Sequence, residues 1–460
     1  MTNSKGGEAV GRGSYGCVFR PALKCRGFNE DLGKYVSKLM CNKEANQEMQ
    51  EIDNIINIIY NIPNNKEYFI PNKEEQFFKC NLEDIDKSNL KNSNICVNFQ
   101  RCSESDKLRD LFKDNFSDDE AIQWIVNNKK NLTIIQQPDG GEEFAKFIRK
   151  EMKNSEDDEI KKISKILINL MKNGIKLMNE EGLLHLDIKP ENLVIKDDKI
   201  RIIDWGLSIN TKNKNFNVIK RNMIKHTLQF NILISNILFD DELIKYLHPI
   251  KIRSSSSNAS IEISNHINDV NNQDDLLDMI NFGEEGHSNM IINYIIFLRT
   301  SVKFEDEVLN IMNSYYKKIL NKYIKINNNT LKFDEEKFYN EVYKHNVDIY
   351  SIFVTFVTMM RANKIPVEYV GPLKELCYKY MFSEEYAAEK YDVKQIENEL
   401  DQIFGLNLQL SPIDIDKVNL ADKELIDIKK INKKSLFSRI TGTFRRKKNS
   451  GGKKKTRKKK

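Results

Sequence analysis

The stretch Leu183-Leu-His-Leu-Asp-Ile-Lys-Pro-Glu-Asn-Leu-Val-Ile195 holds three groups whose types and spacing suit phosphoryl transfer. Asp187 can orient an acceptor hydroxyl and take its proton late. Lys189, two residues on, can sit beside the moving phosphate, and Asn192 can offer its amide oxygen to a divalent cation. A surface loop that happens to hold Asp, Lys and Asn is the bland alternative, and the number of positions specified at fixed spacing argues against it. Near the start, Gly11-Arg-Gly13-Ser-Tyr-Gly16-Cys-Val18 has glycines that let backbone N–H groups approach phosphates with no Cβ in the way. A dinucleotide-binding turn is the rival for such a loop. That rival wants a helix after the glycines and an acidic residue about 20 positions later. Here Val18-Phe19 continues as a strand, and Lys38 follows in a second one.

These groups need elements to carry them. Strand formers flank the glycines, and residues 35–40 read as a second strand. Residues 44–59 place Met49, Ile52, Ile55, Ile56 and Ile59 at helical spacing. Residues 95–99 and 132–136 read as further short strands, 106–126 as a helical insertion, and Pro138-Asp-Gly-Gly141 as a break. A long amphipathic helix over 160–179 is closed by Gly182. Strands at 193–195 and 200–203 follow, separated by a Lys-Asp-Asp-Lys turn. Residues 253–275 read as a mobile loop, and several amphipathic helices run from about 288 to 404. Strands first and helices afterwards give an α+β class, with a small β-rich lobe ahead of a larger helical one.

On the Asp187–Lys189–Asn192 run the chain resembles the eukaryotic-type protein kinases, over roughly residues 8–400. The resemblance implies a two-lobed protein-kinase-like fold. Residues 8–138 would form the N-lobe, with a helical insertion at about 103–127. Residues 139–405 would form a mainly helical C-lobe with an insertion at about 240–340, and 406–460 an extension ending in a disordered basic tail. It implies ATP and Mg2+ as cofactors and protein hydroxyls as acceptors, Lys189 being the Ser/Thr-type arrangement. Asp204, in Ile-Arg-Ile-Ile-Asp204-Trp-Gly206 with Trp205 where Phe is usual, would hold magnesium together with Asn192. Val10, Gly11, Gly13 and Gly16 would line the nucleotide site. Val18 and Val36 would cover the adenine, with Val194 beneath. Lys38 would hold the α- and β-phosphates and pair with Glu48, Glu51 being the alternative. The hinge would lie at 134–142, with Glu142 reaching the ribose. Pro138 has no N–H to offer there, so either one adenine bond is missing or the hinge is shifted by a residue. Asp348 would tie the catalytic loop to the C-lobe core.

Three departures narrow the resemblance. Leu186 stands where many members carry the Arg that meets a phosphorylated activation loop, which implies activity independent of that phosphorylation. No Ala-Pro-Glu closes the activation segment; Gln229-Phe-Asn-Ile-Leu-Ile-Ser-Asn-Ile-Leu-Phe239 occupies roughly that place. Asp348 follows Asp204 by 144 positions, which implies an insertion. The 229–239 segment, the Asn/Ile/Lys bias and the Gly-Gly-Lys-Lys-Lys-Thr ending resemble protein kinases of nucleocytoplasmic large DNA viruses. That implies a viral protein of the host cytoplasm or the virus particle. A pseudokinase or ATP-binding scaffold, and a small-molecule kinase on the same fold, are the alternative functions.

Composition bounds the rest. With 40% hydrophobic and 30% charged residues in 460, a sizeable core is within reach. Lys429 to Lys460 carry 16 Lys and Arg and no Asp or Glu, so the net +6 divides into a −10 body and a +16 tail. The tail suits nucleic acid, an anionic surface or a nuclear import receptor, or else is simply solvated. No aromatic residue follows Phe444, which argues against base stacking. Seven cysteines, an odd number with no Cys-x-x-Cys pair, speak against a disulfide framework and a zinc site and for an intracellular, reducing compartment. No apolar start or membrane-length apolar run stands in the sequence, and a monomer is expected.

Overall fold

Period-two alternation ahead of the Pro138 break builds one sheet. The computed structural model describes residues 7–12, 16–25, 27–28, 30–82, 90–96, 117–150, 152, 157–224, 229–239, 285–299, 301–302, 305–327 and 330–405. Strands β1 (Glu8–Arg12), β2 (Gly16–Arg20) and β3 (Tyr35–Cys41) come first, followed by helix α1 (Asn42–Asn61). Then come β4 (Phe78–Asn81), α2 (Asp118–Asn127) and β5 (Leu132–Pro138). The strands pair antiparallel in the order β1-β2-β3-β5-β4. One face buries Cys17, Phe19, Leu39 and Ile134 against Ile125 of α2. The register opposes Val18 to Lys38 and Val36 to Gln137, so these four side chains share the other face. α1 buries Ala45, Ile52, Ile55, Ile58 and Ile59, and the last three of these pack into the core of the second lobe.

Past the break, β6 (Glu142–Glu143) and α3 (Phe144–Lys150) lead to α4 (Asp157–Asn169), whose first turn carries Asp157, Asp158 and Glu159, favourable at a helix N-terminus. A π-turn, Leu170–Ile175, continues α4 into α5 (Lys176–Glu180), and Gly182 ends the helix in the left-handed region at φ 81°. β7 (Leu183–Leu184), β8 (Leu193–Lys196), β9 (Lys199–Ile202) and β10 (Ile209–Asn210) follow, pairing as β6-β8-β9 and β7-β10. After α6 (Phe216–Ile224) come α7 (Glu285–Leu298), α8 (Glu305–Tyr323), the hairpin β11 (Ile324–Asn327) and β12 (Thr330–Phe333), and α9 (Glu335–Phe338). The last elements are α10 (Lys344–Arg361), α11 (Val367–Phe382), α12 (Glu384–Ala387) and α13 (Val393–Gly405). Every residue of α10 from Asn346 to Val357 is buried, so this helix is the post around which the helical lobe packs. The result is a two-lobed α+β fold. No described helix is long and apolar enough to cross a membrane.

Several expectations need correction. Ile95 closes a 3-10 turn over 93–95 instead of opening the strand expected over 95–99, of which 97–99 lie outside the described residues. The outer strand is β4, whose Phe-Lys-Cys-Asn has one buried residue and too little apolar signal to stand out. A hairpin interrupts the helices expected from 288 to 404. Its Ile324-Lys-Ile-Asn alternation has the period of a strand, and the register opposes Ile324 to Phe333. The helical insertion is described from Ser117, which with Glu120 forms a reciprocal capping box. Its earlier part, Gly13, the 253–275 loop and the basic tail lie outside the described residues. The expectation of no disulfides fails: Cys17 bonds to Cys96, Cys25 to Cys80, and Cys41 is also disulfide-bonded. The two described pairs lie 79 and 55 residues apart, with Cα atoms at 5.4 and 5.8 Å. Chain spacing cannot show such pairs, because each joins a strand residue, Cys17 or Cys80, to a loop residue that only the folded lobe brings near. The reducing compartment, inferred from their absence, loses that support.

Candidate active site

The loop after β7 is fixed from below. The Asp348 carboxylate on α10 accepts the main-chain N–H groups of His185 and Leu186, both at 2.9 Å. Asn179, with its amide turned to donate, adds 2.8 Å to Asp348 Oδ2 and 3.1 Å to the Leu183 carbonyl. These bonds hold Leu186 at φ 61°, a left-handed conformation that costs a leucine about 1–3 kcal/mol. Burial pushes the Asp348 carboxyl up to about 6, against the opposing pull of the two N–H groups. The His185 ring accepts the Asp187 N–H at Nδ1 (3.2 Å) and lies 3.2 Å from the Ile203 carbonyl at Nε2. A carbonyl is only an acceptor, so the ring is the neutral Nε2–H tautomer. Burial lowers its pKa accordingly. His185 therefore bridges the loop of Asp187 to the strand end that carries Asp204.

At the top of this loop the three motif residues converge. Lys189 Nζ reaches Asp187 Oδ1 at 2.8 Å and Oδ2 at 3.0 Å. Asn192 Nδ2 donates to Asp187 Oδ2 at 2.7 Å and to the Asp187 carbonyl at 2.8 Å. Turned this way, Asn192 keeps its Oδ1 for another partner. Asp204 also sits at positive φ, 63°. Trp205 explains why it stays there: its indole donates to the Ile70 carbonyl at 2.7 Å, and its ring packs on Phe69 and His185 at 5.8 and 4.8 Å between centroids.

The sheet supplies the opposing cation. Lys38 Nζ lies 2.6 Å from Glu48 Oε2, so the lysine pairs with Glu48 and not Glu51. Burial opposes the ammonium charge, but Glu48, Asp204 and Glu51 outweigh it and hold the Lys38 pKa above the ordinary lysine value. Reciprocally, Lys38 holds the Asp204 carboxyl below its usual range against the cost of burial. A buried ammonium, a carboxylate kept ionised and an amide oxygen suit a metal–triphosphate better than any neutral ligand.

Around these charges the remaining residues fall unevenly. Val18 and Val36 share the Lys38 face, and Val194 lies below the Pro138 turn. A Cβ added to Gly140 would stand 2.5 Å from Val194 Cγ2 and 2.6 Å from Ile70 Cδ1, so the backbone there sits flat against the second lobe. Gln137 also faces inward, reaching Glu48 Oε1 at 3.4 Å. Above Gly11 the space is open except for Lys146 Nζ at 3.7 Å. Gly16 has a different reason to be glycine: a Cβ would meet Leu39 O and Met40 Cγ at 2.7 Å, so it allows β2 to pack on β3. Val10 is 37% exposed, and its carbonyl takes Lys146 Nζ at 2.8 Å. Since Lys146 also pairs with Glu143 at 3.4 Å, it spans the two lobes beside Glu142. Sequence reasoning missed Gln137, Gly140 and Asn231. The last of these donates to Asp187 Oδ1 at 3.0 Å from a segment 44 residues away, a contact without any local signal. A separate cavity of about 590 Å³, lined by Phe216, Lys220, Lys325, Lys332 and Phe333 among others, contains none of the motif residues.

Comparison with known proteins agrees with this geometry. A family model described as the protein kinase domain matches residues 107–230. Over 93 residues the chain is 28% identical to the mouse sperm motility kinase 2A, covering 20% of this chain and 18% of that one. Over 84 residues it is 36% identical to mouse myosin light chain kinase family member 4, covering 18% and 20%. Over 97 residues it is 30% identical to a Pinctada fucata serine/threonine-protein kinase H1 homolog, covering 20% and 22%. The chain thus spans about a fifth of the length of these curated relatives. These matches support a protein kinase family, and the two-lobed α+β fold is consistent with a protein kinase domain.

Proposed function

We propose that this protein is a Ser/Thr protein kinase that moves the γ-phosphoryl group of ATP to a protein hydroxyl. The observation that carries the reading is the Lys38–Glu48 pair at 2.6 Å, with Asp204 in its field, on the sheet face that opposes the Asp187 loop. Lys38 would hold the nucleotide phosphates, with backbone from Gly11 to Gly16 above them. Val18, Val36 and Val194 would enclose the adenine, and Glu142 would reach the ribose. Asp139 N–H is already donated to Lys34 O and Gly141 N–H to the Asp139 carboxylate, so Gly140 is the hinge residue whose N–H would meet the adenine edge. This shifts the hinge past Pro138 and removes the difficulty of its missing N–H.

Asn192 Oδ1 and Asp204 would hold Mg2+, which when bound neutralises phosphate charge. Asp187 orients the acceptor hydroxyl and takes its proton, while Lys189 leaves the Asp187 carboxylate for the transferring phosphate. Catalysis is then mainly positioning and electrostatics. Ser/Thr preference rests on Lys189 and on the name of one relative. Independence from activation-loop phosphorylation rests on Leu186. The viral origin rests on the 229–239 segment and the Asn/Ile/Lys bias, and action in host cytoplasm or particle follows from it.

The test is transfer of labelled phosphate from ATP to generic basic and acidic proteins. Wild type is expected to label Ser and Thr, and Asp187→Asn to lose transfer by about 100-fold or more while nucleotide affinity holds. An Asp187→Asn protein of normal activity, or a wild type that binds ATP without transfer, overturns the reading; the latter is the pseudokinase outcome.

A further inference from the structure

Asp187 has a third donor, and it comes from the segment that stands in place of Ala-Pro-Glu. Asn231 Nδ2 bonds to Asp187 Oδ1 at 3.0 Å and to the Ile188 carbonyl at 3.2 Å, bracketing one peptide of the catalytic loop. Both neighbours are acceptors, so the amide can face only one way. That leaves Asn231 Oδ1 buried with no hydrogen bond among the described residues. A residue kept for packing alone would avoid such a desolvation cost, since an apolar side chain of similar size carries none. The Asn231 backbone is fixed as well: Ser351 Oγ donates to its carbonyl at 2.9 Å. Ser351 lies three residues after Asp348 on α10, so one helical face anchors both the Asp187 loop and the residue that clamps Asp187.

We propose that Asn231 is a positioning residue for phosphoryl transfer: it holds the Asp187 carboxylate in the rotamer that meets the acceptor hydroxyl. The inference rests on the kinase reading and adds a division of labour to it. Lys189 shares Asp187 Oδ1 with Asn231 but leaves it for the phosphate, while Asn192 holds only Oδ2 of that carboxylate through Nδ2, its Oδ1 serving the metal. When Lys189 turns to the phosphate, Asn231 is the donor that remains on Oδ1, and being neutral it orients the base without neutralising its charge.

The experiment measures kcat, the KM for ATP and for a generic acceptor protein, nucleotide affinity and melting temperature for wild type, Asn231→Ala and Asn231→Asp. Asn231→Ala is expected to lower kcat roughly 10- to 100-fold with nucleotide affinity within about twofold of wild type. Asn231→Asp, nearly the same size, is expected to be worse than Ala, because it replaces the donor with a like charge beside Asp187. A packing role predicts the reverse order. Should Asn231→Ala melt below the assay temperature, Ser351→Ala carries the test, with a smaller fall in kcat at unchanged nucleotide affinity. Full kcat in either Ala variant, or an Asp variant better than Ala, overturns the inference alone. A wild type that transfers no phosphate overturns the kinase reading and this inference with it.

Discussion

Replacing Asp348 by Asn separates what the buried carboxylate does for stability from what it does for the catalytic loop. Its folded pKa of about 6 lies above the ordinary 3.8 because burial outweighs the His185 and Leu186 N–H groups. Between those two values the folded state binds more protons than the unfolded one, so stability falls as pH rises through the window. About two pKa units correspond to about 3 kcal/mol. The Asn179 amide at 2.8 Å, a third donor to the charged form, reduces this to roughly 1–3 kcal/mol. The Asp348→Asn variant would carry no such slope, though its amide meets two N–H donors with one oxygen. The two proteins should therefore melt within a few degrees of each other near pH 4, and the variant should gain on wild type by roughly 1–4 °C up to pH 8. Activity should move the other way. With one anchor lost, the Leu186 peptide relaxes from φ 61° and shifts Asp187, lowering kcat roughly 10- to 100-fold. Melting temperatures from pH 4 to 8 beside kcat at neutral pH decide it. Parallel melting profiles refute the electrostatic half, and full kcat refutes the positioning half.

Two further outcomes follow from the same structure. His345 is pushed down to about 4 by burial first and then by Lys390 and Lys344, so between pH 4 and 6.5 the unfolded state binds the extra proton and stability rises with pH. His345→Gln should flatten that rise by about 1 kcal/mol, because solvent screens a half-buried ring, and an unchanged slope in the melting profile would count against the burial. Trp205→Phe removes the donor to the Ile70 carbonyl and part of a buried ring, which should cost about 1–3 kcal/mol and lower kcat as Asp204 loosens. A variant as stable and active as wild type would show that the indole bond does not hold Asp204.

The convergence of the motif residues was legible because it is local: Asp187, Lys189 and Asn192 lie within one turn-and-strand, and their contacts at 2.7–3.0 Å join residues two to five apart. Glu48 could be chosen over Glu51 because Ile52 and Ile55 mark the buried stripe of α1, and a stripe fixes which carboxylate faces the sheet. Gly16 shows the limit of motif reading, since the same glycine serves a strand contact with Leu39 and Met40 that no phosphate argument contains. Cysteine counting failed for a related reason. It reads spacing along the chain, whereas Cys17–Cys96 and Cys25–Cys80 are set by which loops pack against strands β2 and β4. Asn231 is the extreme case: its value depends on Ser351, on the register of α10 with Asp348 and on a segment outside the usual pattern meeting Asp187. A buried helix of largely apolar character hides Ser351 and Thr355 in the sequence, because they are outvoted by their neighbours, and Asp348 stands out only through the family resemblance. Yet those buried polar groups must each find a partner, and two of them find it in the Asp187 loop and in the segment that meets it: Asp348 takes the His185 and Leu186 N–H groups, and Ser351 donates to the Asn231 carbonyl. One face of α10 thus anchors both a motif that stands out in the sequence and a segment that does not.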